Sequence, residues 1–475
     1  MPKPAYALGQ IPRRYLLKLA LAAGLLPGLT STCAGTPDPP TPDAGQRPGA
    51  DLWQQFAGTE LRLLLNDHPW TQGIRPYLNE FESLTGMTLR IQTIAEPDYF
   101  REMETALNNR PQEVDAFFLP MDSTAYRLWR GDRLHSLTPF IHDPTLTTRD
   151  YNLYDFPEGF RLAAMYPPGQ AEAELFGIPA TVEVYILFYN KRLVDRFLGG
   201  QVPSTMAELV QAAAQINASS EAIGMVLRGI PSDTIIDTVT GIILNGWGSE
   251  PTPLPFNVWF DGDWSRPRMT DPRIVEGLAT YADLMRAGPA HIKQMDWAEA
   301  TQRFRDGEAA FYIDASLFGP DFENPETSTI AGEVGYAVLP RVQPQSLTGH
   351  WLWGLGISKQ SPHPQAAWLL IQWATSAAME AKIAVATGGA PRFSTWLTPS
   401  AYTEAMALDY ALAVQTAMRT SRPTAVFHPQ WNQVALAIVA TIHRIYDGED
   451  PQAAADQLQA TVLQKLALAQ EEQWV

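Results

Sequence analysis

Phe176-Gly177-Ile178-Pro179-Ala180-Thr181-Val182-Glu183-Val184-Tyr185-Ile186-Leu187-Phe188-Tyr189-Asn190-Lys191 decides how the rest of the chain is read. From Val182 to Tyr189 every residue is β-branched, aromatic or leucine except Glu183. Such a run predicts a buried strand. Pro179 punctuates just before it, and Asn190-Lys191 closes it into a helix. A carboxylate in a buried strand is costly without a partner. One reading is a core strand with Glu183 at its solvated mouth. The other is a strand crossing between two lobes that offers Glu183 to something in a cleft. The strand alone favours the first, and the surrounding sequence has to choose.

Working outward, strands alternate with helices. Leu61 to Leu65 is a strand that ends in the polar loop Asn66-Asp67-His68-Pro69-Trp70. Ile74, Tyr77, Leu78 and Phe81 recur at helical spacing until Thr85-Gly86. Met87 to Ile94 is a second strand, Tyr99 to Leu107 a helix, and Val114 to Leu119 a third strand ending at Pro120-Met121-Asp122-Ser123. This alternation predicts parallel βαβ units. Ligands of such sheets gather at the carboxyl ends of the strands. His68, Trp70 and Asp122 therefore fall in one neighbourhood. Further on, the pattern predicts short strands at 225–228, 309–314, 334–339 and 352–358. Helices are predicted at 204–217, 233–244, 271–286, 297–305 and 365–375, and the stretch 139–169 reads as irregular.

The chain has 475 residues, too many for one ordinary domain. Lys and Arg number 34 against 51 Asp and Glu, a net charge of −17. An acidic chain disfavours nucleic acid and anionic membrane surfaces as partners. The N-terminus departs from that pattern. Arg13-Arg14-Tyr15-Leu16-Leu17-Lys18 precedes an apolar run from Leu19 to Leu29, too short for a comfortable membrane span. Residues 1–33 therefore read as an export signal. The paired arginines resemble a twin-arginine signal, although Pro12 stands where Ser or Thr is preferred, which leaves the general secretory route open. Cys33 is the only cysteine, so no internal disulfide can form. Leu29-Thr30-Ser31-Thr32-Cys33 resembles a degenerate lipobox and predicts a lipid on Cys33. A Pro- and Gly-rich tether is expected over 34–58.

The order of motifs carries a family resemblance. The Gly-Ile-Pro…Val-Glu…Phe-Tyr-Asn-Lys crossover is followed by Glu299…Phe304…Gly307…Phe311…Asp314. Then come Gly354-Leu355-Gly356-Ile357-Ser358 and Gly388-Gly389-Ala390-Pro391-Arg392. Together with the export signal and the β-α-β-α-β start, the chain from about Glu60 onward resembles the family 1 extracellular solute-binding proteins of bacterial ABC importers. The resemblance implies an α/β fold of two lobes joined by hinge strands, with a ligand cleft between them. By analogy, 59–180 plus 345–376 would form the first lobe and 181–344 plus 377–475 the second. It also implies a monomer, periplasmic or at the cell surface, that closes on a sugar, expected to be an oligosaccharide, and passes it to an ABC permease. No cofactor or metal is implied, and eight scattered His show no ligand spacing.

Sugar recognition needs groups that bond hydroxyls and flat aromatic faces that cover the C–H side of a ring. Asp67, His68, Trp70 and Asp122 are candidates from their strand ends. Asp122 serves equally well as a helix N-cap. The resemblance adds Glu183 as a hydroxyl acceptor. It adds Trp247 at a helix end, Trp353 before a Gly-rich strand, Asp314 at a strand end, and Arg392 closing its loop. The competing readings are a core tryptophan, a turn cap and a surface arginine. No nucleophile elbow, phosphate loop or Cys–His pair supports enzymatic chemistry. A secreted glycoside hydrolase, with two carboxyls flanking a bond, is the alternative from another class. A sugar-sensing receptor not coupled to transport is a third reading.

Overall fold

The computed structural model describes residues 50–232, 234–247, 258–261, 266–342, 347–397, 406–424 and 430–471. Cys33 and the export segment lie outside the described residues.

Eleven strands are described. They are β1 (Glu60–Asn66), β2 (Thr88–Ile94), β3 (Ala116–Pro120), β4 (Met165–Tyr166), β5 (Glu174–Leu175), β6 (Ile178–Asn190), β7 (Ile223–Val226), β8 (Ala309–Ala315), β9 (Val334–Ala337), β10 (Thr348–Ile357) and β11 (Ser421–Pro423). Nine of them join in one sheet with the order β2-β1-β3-β10-β6-β8-β7, with β11 beside β10 and β9 beside β6. The opening β1, β2 and β3 pair in parallel, as the alternating pattern predicts. Strands β4 and β5 form a separate antiparallel pair, with β4 inside 139–169 and β5 just beyond it. Short helices at Thr138–His142, across its start, and Glu158–Leu162, within it, are too brief to leave a periodic signal.

The quoted stretch holds the two parts of the sheet together. Residues 178–184 of β6 pair antiparallel with β10. Residues 185–189 pair antiparallel with β8, and 187–190 with β9. One strand thus leaves the half built on β1–β3 and enters the half built on β7–β9. All of its side chains are buried except Glu183 and Tyr189, which are half-buried. A strand covered on both faces reads as a continuous apolar run, which is why the sequence shows no alternation here.

The strand begins at Ile178, four residues before the apolar run, and so contains Pro179. Proline has no N–H for the ladder. It stands opposite Gly354, where the register with β10 shifts. A Cβ on Gly354 would lie 2.6 Å from Met121 Sδ and 2.7 Å from Ile178 O, so the backbones can approach this closely only at glycine.

Two segments fall outside their expected places. The folded body starts earlier than a tether over 34–58 would allow. Ala50–Gln54 is a helix, and Leu52, Trp53 and Phe56 pack on the core. Three large apolar side chains in seven residues are reason enough to fold. The helix Ala377–Thr387 packs on Pro69–Ile74 in the first half, and Lys382 pairs with Glu80 at 2.6 Å. The Gly388-Gly389 turn then meets the crossing strand, where Gly389 O accepts from Val182 N at 3.0 Å.

A cleft at the ends of the strands

A cleft of about 1240 Å³ opens where the two parts of the sheet meet. Asp67 and His68 follow β1 and Asp122 follows β3, so the carboxyl ends of the parallel strands supply one wall. Arg228 after β7, Asp237, Trp297 and Phe318 supply the other. Glu183, Trp351 and Trp353 come from the two strands that run between the walls.

Each of these side chains is held by something local. His68 caps the helix Pro69–Ile74, and its Nδ1 accepts from Trp70 N at 3.1 Å. With Nδ1 accepting, the neutral ring carries its proton on Nε2, which faces Glu183 Oε1 at 3.7 Å. That gap is too long for a direct hydrogen bond and leaves both groups able to serve a third. Asp67 accepts from Gln72 Nε2 at 3.1 Å. Asp122 caps the helix Ser123–Arg130, accepting from Thr124 N at 2.7 Å. Both readings of Asp122 therefore hold: it caps a helix and it lines the cleft. Burial pushes its pKa up to about 6, against the opposing pull of the Thr124 N–H and the Arg127 charge.

The aromatic wall is layered. Phe118 on β3 lies between Trp70 and Trp353, with ring centroids 5.2 and 4.8 Å away and interplanar angles of 18° and 7°. Trp351 meets Trp353 edge-on at 6.1 Å. Trp353 is 2 % exposed and Trp70 also 2 %, so most of their area is core. Trp353 still lines the cleft, whereas Trp70 does not. Trp351 stands directly opposite Glu183 in the ladder and is only half-buried. Sequence reasoning passed over it. The signal was present, because residues two apart on a strand share a face, and the strand starts at Thr348, earlier than its glycines suggest.

Asp67, His68, Asp122, Glu183 and Trp353 are thus brought together, and four candidates stand elsewhere. Trp70 is the outer ring of the Phe118 stack. Trp247 is buried among cations, with Arg273 Cζ 3.6 Å and Arg268 Cζ 4.7 Å from its ring centroid. Asp314 is fully buried behind the cleft surface and bound to Arg228 Nε and Nη2 at 2.9 and 2.6 Å. Arg392 is 1 % exposed. It donates to Thr375 O and Asn152 O, each at 2.7 Å, and lies over Phe156 at 4.0 Å. In each case a polar or aromatic group at an element end found a partner inside the fold, a contact that sequence spacing does not report.

A two-part sheet joined by crossing strands, with a polar and aromatic cleft at the junction, defines a two-lobed periplasmic binding-protein fold. The family model for bacterial extracellular solute-binding proteins matches residues 77–409. The chain belongs to that family. It is 27% identical over 385 residues to the erythritol/L-threitol-binding protein of Mycolicibacterium smegmatis, covering 77% of this chain and 78% of that one. It is 28% identical over 209 residues to a mannitol-binding protein of Pseudomonas aeruginosa, covering 43% and 46%. Among solved structures, a solute-binding protein of Agrobacterium radiobacter K84 in complex with ribitol aligns with a TM-score of 0.71 and 20% identity, over 86% of this chain and 99% of that one. Maltose-bound MalE3 of T. maritima aligns with 0.71 and 18%, over 85% and 99%. At such identities the structural likeness speaks for the fold.

Proposed function

We propose that the protein captures a neutral polyhydroxylated solute, a sugar or sugar alcohol, by closure of two lobes and delivers it to the permease of an ABC importer. The observation that carries this reading is the pairing of Glu183 with Trp351 across the crossing strands, opposite His68. A carboxylate accepts a hydrogen bond from a hydroxyl while an indole face covers the adjoining C–H groups. Ligand held by both walls stabilises the closed state and shifts the open–closed equilibrium. Relatives named for erythritol/L-threitol and mannitol support a sugar alcohol, and the fold neighbour with maltose keeps oligosaccharides in view. The protein acts as a carrier and leaves its ligand chemically intact.

The lobe limits we favour are about 50–180 with 345–397, and 181–344 with the residues beyond 397. The packing of Ala377–Thr387 on Pro69–Ile74 supports moving that helix into the first lobe. Export through the paired arginines, a lipid on Cys33 and action as a monomer complete the reading. Mass spectrometry of membrane-extracted protein against a Cys33→Ser variant tests the lipid.

The central experiment is a thermal-shift screen of the mature protein with alditols, monosaccharides and maltose-type oligosaccharides. A ligand at 100 times its Kd adds roughly 2.7 kcal/mol of stability. No shift with any polyhydroxylated compound refutes the ligand class. Chromatography showing cleaved oligosaccharide refutes the carrier role.

A further inference from the structure

The cleft holds four arginines, and three of them are partly exposed. Arg101 pairs with Asp98, Arg127 with Glu104 and Arg305 with Asp321. Arg228 differs in being buried while still lining the cleft. Its Nε and Nη2 donate to the two oxygens of Asp314 at 2.9 and 2.6 Å, a bidentate grip that fixes the plane of the guanidinium. Nη1 donates to Thr234 O at 3.3 Å. Asp314 is itself fixed, accepting from Tyr312 Oη at 2.9 Å and Ala315 N at 2.7 Å. Thr301 Oγ1 lies 2.9 Å from Tyr312 Oη, and Tyr281 Oη donates to Arg228 O at 2.6 Å.

A guanidinium has five N–H groups. Three are engaged, and the other two have no partner among the described residues. A second observation points to the same spot. The hydroxyl of Tyr185, two residues beyond Glu183 on the crossing strand, is fully buried and makes no hydrogen bond among the described residues. It lies in the field of Asp237, Arg228, Glu183 and Asp314. Tyr185 stands opposite Ala315, the neighbour of Asp314, so its unpartnered hydroxyl belongs to the layer behind Arg228, and the guanidinium that lines the cleft with N–H groups unused suits an incoming oxygen.

We propose that Arg228 is a ligand-binding residue that donates to a hydroxyl oxygen of the bound polyol from the second wall of the cleft, with Asp314 as the positioning residue that fixes its orientation. This rests on the polyol reading above. A hydroxyl suits the site better than a phosphate, because Asp67, Asp122 and Glu183 line the same cleft and repel an anion. The same hydroxyls that accept from Arg228 can donate to those carboxylates, so one neutral ligand bridges both walls.

The test is calorimetric titration of the full mature protein with erythritol, ribitol, D-mannitol and maltose, then with the monodeoxy analogues of the tightest binder. In the wild type, removing the hydroxyl that meets Arg228 lowers affinity roughly 10–100-fold. In Arg228→Lys that penalty falls to within about threefold, while penalties at other positions stay as in the wild type. Asp314→Asn leaves the arginine in place and gives an intermediate penalty at the same position. Because breaking one side of a buried ion pair can unfold a protein, the matched double variant Arg228→Met/Asp314→Leu is measured alongside. It stays folded by melting temperature and loses the same discrimination. Equal weakening of every analogue, or unchanged ratios in the variants, overturns the proposal while leaving the polyol reading intact. Failure of the wild type to bind any of the four compounds overturns the polyol reading itself and removes this inference with it.

Discussion

Replacing Asp122 with asparagine should stabilise the protein at neutral pH and weaken its grip on ligand. Asp122 is buried, and its pKa is pushed from 3.8 to about 6 by that burial. Between about pH 4 and pH 6 the native state therefore holds a proton that the unfolded state has released. Stability falls as pH rises through this window, and the full cost is present above about pH 6. That change corresponds to about 3 kcal/mol. Asparagine removes the titration and keeps the cap, because its oxygen can accept from Thr124 N as the carboxylate does at 2.7 Å. Its amide must still be desolvated, and Arg127 loses an attractive neighbour, so about 1–2 kcal/mol should be recovered. Urea unfolding followed by tryptophan fluorescence at pH 7.5 and pH 4 measures this directly. The variant should be more stable at pH 7.5 and equal to the wild type at pH 4. Calorimetry should find weaker polyol binding and no inflection in affinity near pH 6. A variant less stable at pH 7.5, or a gain that persists at pH 4, refutes the reasoning.

Other substitutions separate binding from folding. Glu183→Gln should lower affinity roughly 10–100-fold by removing a charged acceptor, with little change in melting temperature; calorimetry beside a melting curve checks both. Trp351→Ala should cost about 1.5–3 kcal/mol of binding through lost apolar contact. Trp353→Ala should instead cost about 3–5 kcal/mol of stability, because its ring is packed on Phe118. Equal melting temperatures for these two variants would contradict that division. Gly389→Ala would set a Cβ 2.3 Å from Thr181 Oγ1 and 2.7 Å from Val182 O. It should cost about 1–3 kcal/mol of stability, read by denaturant titration, because the turn must move off the crossing strand.

The class of fold was legible along the chain. Apolar runs alternating with 3.6-residue periodicity define parallel units wherever they occur, because burial imposes the same spacing in any such sheet. Glu183 stood out as a lone carboxylate in an apolar strand, but the strand alone favoured a solvated end, and the family resemblance was needed to read it as a hydroxyl acceptor. Asp67, His68 and Asp122 followed from chain direction, since parallel strands end together at one edge. The partners of side chains distant in sequence were not legible. Trp70 and Trp247 look like cleft aromatics by position, yet one completes a ring stack and the other sits between arginines. Asp314 and Arg228 are separated by 86 residues, and only the pairing of β7 with β8 brings them together. That contact ties the candidate acid to the Arg228 guanidinium, and Arg228 in its place lines the cleft. Local periodicity determines which elements form, because it depends on near neighbours. Which side chains reach the cleft depends on how elements pack, and so the tertiary structure alone decides it.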